Sequence, residues 1–118
     1  MDVIGSAEKA LSNLKICLKK YEKSIPWNLS ASYLYLSIGE SYLGEAEKSL
    51  ATLREQFSPK KNAEVEAGYV MLYLFQRNNL KAKSQIDQFI KDFPNSERVE
   101  KFSRIKAGLD SRIELKNN

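Results

Sequence analysis

Several residue types that support enzymatic chemistry are scarce in this chain of 118 residues, which has no histidine, one cysteine and five glycines. Histidine is the commonest metal ligand and a frequent general base, so its absence removes both roles. A single thiol excludes a disulfide framework and any zinc site built on several thiolates. No glycine-rich loop precedes a lysine to cradle a phosphate. We therefore expect a protein that is not an enzyme and holds no cofactor or metal.

The size and the charge of the chain fit one small domain. A chain of 118 residues can bury one core but not two independent ones. The formal net charge is +4, and the excess lies in residues 60–118, which carry twelve basic and eight acidic side chains. The basic residues are dispersed, whereas nucleic-acid binding surfaces usually cluster them on one face. Nucleic-acid binding is therefore the alternative prediction, and the residues that would carry it are Lys81, Lys83, Arg98, Lys101 and Arg104.

Neither a secretory signal nor a membrane span is predicted. Residues 1–5 do not form a basic stretch followed by an apolar run, as a signal peptide requires. No window approaches the roughly 20 apolar residues needed to cross a bilayer. We expect a cytoplasmic protein with no membrane insertion.

Apolar residues recur at helical spacing along almost the whole chain, which predicts an all-α fold. Ser6 is expected to cap the first helix, Pro26 to open the second, Gly44 to mark the following turn, and Ser96 to cap the last helix. The predicted helices lie within 6–23, at 27–42, 45–57 and 63–77, after the Asn78-Asn79 turn as far as Phe93-Pro94, and at 96–115.

A shift of 36 residues superimposes similar side chains on one another. In the longer helices Ala31 falls on Ala67, and Leu36 falls on Leu72. A helix pair repeated at this spacing is typical of a helical solenoid, in which each pair buries its apolar surface against the next. The equivalent positions of the following helices are Ala46 and Ala82, Leu50 and Ile86, Leu53 and Phe89, and Phe57 and Phe93.

The segment 79–96 resembles the second helix and closing turn of a tetratricopeptide repeat. Ala82 and Ala46 match the small residue that lets two helices approach, and Pro94 matches the proline that ends the pair. The resemblance covers 28–96 as two pairs, with 6–23 as a half repeat. It implies a single domain folded as a right-handed antiparallel solenoid of about six helices, with repeats at 27–59 and 63–95 and a capping helix at 96–116. The sequence departs from the family pattern in two ways. The period is 36 residues rather than 34. The small residue expected within the first helix of each pair is replaced by Leu34 and Val70, and Ser32 and Gly68 stand two positions earlier, so the register along these helices stays open by two residues.

In tetratricopeptide proteins the first helix of each pair lines the concave surface. The resemblance therefore implies an apolar groove that suits the nonpolar side of a helix or an extended hydrophobic peptide. We expect Tyr35 and Met71, which are equivalent in successive repeats, to be partly exposed. The family's carboxylate clamp is not expected, because its positions hold Asn28 and Glu64 but no cation. The groove residues implied are Ala31, Tyr35, Ile38, Ala67, Met71, Leu74 and Phe75.

The function expected from this resemblance is that of a small cytoplasmic adaptor or chaperone that holds a hydrophobic segment of another protein. The chain is similar in size and helix count to bacterial chaperones of secretion-apparatus subunits. Two other occupants of the groove stay open: the helix at 96–115 could fill it, or a homodimer could cover it. Cys17 is expected to be a buried structural thiol, and Glu64 and Glu66 to be solvated at a helix start.

Overall fold

The computed structural model describes residues 9–10, 12–13, 15–16, 19 and 24–117. Within these residues the chain is helical and contains no strand, so the all-α prediction is confirmed. The predicted first helix falls mainly outside the described residues, as do Ser6 and Cys17. The helices are α1 (Ile25–Ile38), a 3-10 helix (Glu40–Tyr42), α2 (Leu43–Phe57), α3 (Ala63–Phe75), α4 (Asn79–Asp92) and α5 (Arg98–Asn117).

Short polar side chains begin three of these helices. The Asn62 side chain accepts hydrogen bonds from the backbone N–H of Glu64 and Val65, at 3.0 and 3.2 Å, and so caps α3. Asn78 caps α4, and its side chain accepts from the backbone N–H of Lys81 at 3.2 Å. Ser96 was predicted to cap the last helix, and its Oγ accepts from the backbone N–H of Arg98 at 3.2 Å.

The turn between the first two described helices lies five residues before its predicted position. Gly39 has a φ of +140°, a backbone conformation that other residues rarely adopt, and it ends α1 after Ile38. The prediction of a turn at Gly44 is therefore wrong, because Gly44 lies in the first turn of α2. Pro26 occupies the first turn of α1, where its missing N–H costs no helical hydrogen bond.

The helices pack in the order in which they follow one another. Helix α1 contacts α2 and α3, α2 contacts α3, α3 contacts α4, and α4 contacts α5. The positions related by the 36-residue shift have matching environments in α2 and α4: three pairs are fully buried, and the fourth pair, Phe57 and Phe93, is half-buried in both copies. The fully buried positions are Ala46, Leu50 and Leu53 in α2, and Ala82, Ile86 and Phe89 in α4.

Two apolar clusters form the core. The first joins α1, α2 and α3, and Leu50 in it packs so closely on Gly68 that a Cβ there would lie 2.7 Å from Leu50 Cδ2. The second joins α3, α4 and α5, and in it the ring of Phe102 meets that of Phe89 edge-on at 5.0 Å between centroids. Helix α5 therefore covers the end of the stack, with Phe102 and Leu109 buried.

A chain of polar contacts links α1, α3 and α5 across the helix layer. The Tyr33 hydroxyl donates to the backbone carbonyl of Glu64 at 2.8 Å. The guanidinium of Arg98 donates to both carboxylate oxygens of Glu64, with Nη2 to Oε2 at 2.9 Å. That hydrogen bond lowers the pKa of Glu64 and raises the pKa of Arg98. These contacts join α1 to α3, and the first turn of α5 to the first turn of α3.

Candidate functional site

Three of the seven predicted groove residues lie in the core. Ala31 and Ala67 have no exposed surface, and Tyr35 is 5% exposed with its ring stacked on that of Tyr42 at 6.1 Å. The expectation that Tyr35 is partly exposed is wrong. Ala67 belongs to the apolar cluster formed by α3, α4 and α5.

The other four predicted residues retain contact with solvent. Ile38, Met71 and Leu74 are half-buried at the edges of the two clusters, so the expected partial exposure of Met71 is confirmed. Phe75, the last residue of α3, is 50% exposed. An exposed aromatic side chain next to partly buried aliphatic ones is a common feature of protein-binding surfaces.

Leu74 and Phe75 line an open cleft of about 350 Å³ at one end of the helix stack. The end of α1 and the turn that follows it form one wall, together with the start of α2, and the end of α3 forms the other. Leu36 and Leu43 are buried, at 4% and 7% exposure, so they give the cleft an apolar base. The cleft residues are Leu36, Ser37, Gly39, Glu40, Leu43, Leu74, Phe75 and Arg77.

Backbone geometry at the end of α3 presents a cation to this cleft. Arg77 has a φ of +58°, the left-handed conformation that usually falls to glycine at a helix end. The N–H of Asn78 donates to the carbonyl of Tyr73 at 2.9 Å, which closes the helix end around it. This conformation costs a residue other than glycine about 1–2 kcal/mol. Strain of this kind is often retained where a side chain has a function.

The cleft carries one acidic and one basic side chain. Glu40 and Arg77 both line it and both are exposed. Neither forms an ion pair with another residue that the structure describes. A ligand in the cleft would therefore meet an apolar base together with one unpaired charge of each sign.

The sequence did not single out Leu36, Leu43, Glu40 and Arg77 as site residues. Leu36 lies about 100° around α1 from Tyr35 in a helical projection, on the side that carries Tyr33, and both sides of the helix are apolar. Only the early turn at Gly39 brings Glu40 and Leu43 beside the end of α3. A glycine three residues after Leu36 was the available signal for this turn.

The basic residues of the alternative prediction are largely engaged with carboxylates. Lys83 Nζ lies 2.7 Å from Asp110 Oδ1, Arg98 holds Glu64, and Arg104 pairs with Glu100 one turn away on α5. Lys81 Nζ lies 5.7 Å from the ring centroid of Tyr73. These pairs reduce the positive charge that the predicted surface offers to a phosphate backbone.

Glu66 differs from its prediction as a solvated residue at a helix start. It is 4% exposed and receives hydrogen bonds from Arg54 and from the side chain of Gln85. Arg54 also lies over the ring of Tyr69, with 3.6 Å from Cζ to the centroid. Glu66 therefore joins α2, α3 and α4, and this role is structural.

The described residues include neither a candidate metal cluster nor a helix suited to crossing a membrane. Among them, no group of three or more Cys, Asp or Glu side chains is arranged to hold a metal ion. None of their helices combines the length and the apolar character needed to cross a membrane.

Comparisons with known proteins do not assign the chain to a family. No protein-family model matches it. No curated protein and no solved structure matches it either.

Proposed function

We propose that this protein is a non-enzymatic interaction module, a cytoplasmic adaptor or chaperone that binds a hydrophobic helix or peptide of another protein. The single observation that carries this proposal is the exposed Phe75 beside a cleft with an apolar base. Its site is the cleft at the end of the helix stack rather than a surface centred on Tyr35.

The cleft has the composition of a peptide-binding site. Leu74 offers partly exposed aliphatic surface above the buried Leu36 and Leu43, and Phe75 offers an aromatic side chain of which half is still in contact with water. Removing that remaining apolar surface from water on binding would contribute free energy at roughly 25 cal/mol per Å². A volume of about 350 Å³ accommodates one or two large side chains of a partner, not a whole helix.

We also propose that the fold is a tetratricopeptide-like helix-hairpin solenoid. The pattern of contacts between the helices supports it. Helix α1 packs on α3, and α2 and α4 each pack on the helix that follows. The matching burial of Ala46 and Ala82 supports a repeated unit. By this proposal α5 is the capping helix. A bacterial secretion-apparatus subunit is one class of partner that such a protein would hold.

Site-specific photocrosslinking tests the proposal directly. A photoreactive benzoyl-phenylalanine is placed at position 75 in cells of the native host, and at position 104, an exposed residue of α5, as the control. We expect a discrete adduct with another protein from position 75 and not from position 104. The same adducts from both positions, or adducts only with a second copy of this chain, would contradict the proposal.

A further inference from the structure

A second recess lies near the start of α3, whereas the cleft lies at the end of that helix. It has a volume of about 350 Å³, and its walls come from the end of α2, the turn that precedes α3, the start of α3 and the middle of α4. We call it the basic recess, because three of its lining side chains are cationic and its one lining carboxylate, that of Glu66, is already bound by Arg54. The other polar side chains that line it are Arg54, Ser58, Lys60, Lys61, Gln85 and Gln88.

Arg54 is held in a fixed position with one side of its guanidinium still available. Glu66 accepts hydrogen bonds from Nε and Nη2, the two donors along one side of the guanidinium fork. The ring of Tyr69 lies against the flat face, 3.6 Å from Cζ. The guanidinium has five N–H donors, so the side formed by Nη1 and Nη2 can hold a second oxyanion by two parallel hydrogen bonds. Nη1 donates to no residue that the structure describes, and the Arg54 side chain is 42% exposed.

The positive charge of the basic recess is not cancelled by the carboxylates near it. Glu66 is 4% exposed, and Arg54 already occupies both of its oxygens. Lys61 pairs with Asp92 at 2.7 Å, which ties the turn before α3 to the end of α4. Lys60 forms no ion pair in the described part of the chain. An unpaired lysine is ordinary on a surface, but this one borders the same recess as a guanidinium that is already oriented.

We propose that the basic recess binds an oxyanion, a phosphate or carboxylate group, between the free side of the Arg54 guanidinium and the ammonium of Lys60. Because Glu66 and Tyr69 already hold the guanidinium, binding would have to order only the lysine side chain, which lowers its entropic cost. The proposal is independent of the proposed function, because the basic recess and the cleft share no residue. Failure of either one would leave the other unchanged.

An NMR titration tests the proposal on the whole chain. Proton–nitrogen spectra follow the Arg54 Nε–H signal and the Lys60 backbone amide while inorganic phosphate, acetate or chloride is added at matched ionic strength. We expect saturable shifts of both signals with phosphate, with acetate or with both, and none with chloride, which lacks the paired oxygens that a guanidinium holds. Saturation by phosphate alone would identify a phosphate group as the ligand, and saturation by acetate alone a carboxylate.

Two variants and a matched control show whether the shifts come from this site. Lys60→Gln removes one contacting charge and should weaken binding about fivefold. Lys101→Gln, at an exposed lysine of α5 outside the basic recess, should leave the affinity unchanged. Arg54→Lys keeps a cation beside Glu66 but lacks a second two-donor side, so we expect binding at least about tenfold weaker, read from the Lys60 amide.

Circular dichroism confirms that each variant is folded, and Lys60→Gln decides the question if Arg54→Lys is not, since the Lys60 side chain is exposed. The absence of a saturable shift in the wild type with either oxyanion would overturn the proposal. Equal affinities of Lys60→Gln and the wild type would also overturn it.

Discussion

Arg54 holds the buried carboxylate of Glu66 through two hydrogen bonds, Nε to Oε2 at 3.2 Å and Nη2 to Oε1 at 2.7 Å. The pair joins α2 to α3, and Gln85 extends it to α4 through a hydrogen bond of 3.2 Å to Oε1. Burial acts to lower the pKa of Arg54, but the hydrogen bond and the charge of Glu66 outweigh it and raise that pKa. The pair formed by α1 and α2 is therefore joined to the pair formed by α3 and α4 by a charged contact as well as by apolar packing.

The first prediction concerns this pair. Arg54→Met leaves the Glu66 carboxylate buried without its counter-ion, so we expect the free energy of unfolding to fall by about 1–3 kcal/mol. Urea unfolding measures the change. The matched control is Arg104→Met, which breaks an exposed pair within α5 and should change stability by about 0.5 kcal/mol or less. Equal effects of the two substitutions would show that Glu66 does not depend on Arg54.

The second prediction concerns the repeated small residue of α2 and α4. Ala82 is fully buried, so Ala82→Leu adds three carbon atoms to a filled space and should cost about 1–3 kcal/mol. Ala46→Leu should cost a similar amount, because Ala46 has the same burial in α2. Thermal unfolding compares both with Ser84→Leu, on the exposed side of α4. An unchanged midpoint for Ala82→Leu would contradict the 36-residue register.

The third prediction separates core residues from cleft residues. Tyr35→Ala removes a buried ring that stacks on Tyr42, and we expect it to lower the free energy of unfolding by about 3–5 kcal/mol. Phe75→Ala removes a ring that is half in water, and its cost should be smaller by about 2 kcal/mol or more. Chemical denaturation of the two variants checks this ranking. The reverse ranking would place Tyr35 at the surface and Phe75 in the core.

The fourth prediction concerns acid. The hydrogen bond from Arg98 holds the pKa of Glu64 below its ordinary value of 4.5. A carboxylate with a lowered pKa in the folded state stabilises that state above its unfolded pKa, and the contribution disappears as the pH falls through the folded value. Stability should therefore decline below a pH of about 4.5, and Glu64→Gln should reduce this decline. Urea midpoints measured at neutral pH and at about pH 3 test it. Equal acid sensitivity of the variant and the wild type would contradict the role of this pair.

The helices and much of the core follow from local patterns in the sequence. Apolar spacing predicted α2 and α4 closely, and the shift that relates Ala46 to Ala82 identified positions that are buried alike. The site was harder to predict, because α1 and α3 are apolar on more than one side. Helical spacing alone does not show which apolar side is covered by α2, α4 or α5. Tyr35 was therefore assigned to the surface although it packs in the core.

The cleft depends on two backbone features that hydrophobic periodicity does not report. Gly39 ends α1 four residues earlier than the apolar pattern suggests, and Arg77 adopts a left-handed conformation that a pattern of side chains does not reveal. Together they bring Glu40, Leu43 and Phe75 to one surface. The buried role of Glu66 was missed for a similar reason, since Arg54 approaches it from another helix.

Binding to the cleft is the central claim, and one titration tests it most directly. A synthetic peptide that spans the segment crosslinked from position 75 is titrated by calorimetry into the wild type, Phe75→Ser and Leu80→Ser. Leu80 is 70% exposed but lies outside the cleft, so it is the matched control. Loss of the half-exposed ring should cost about 0.7–1.5 kcal/mol of binding free energy. That corresponds to an affinity about threefold to tenfold weaker for Phe75→Ser, and an unchanged affinity for Leu80→Ser. Equal affinities of Phe75→Ser and the wild type would contradict the account.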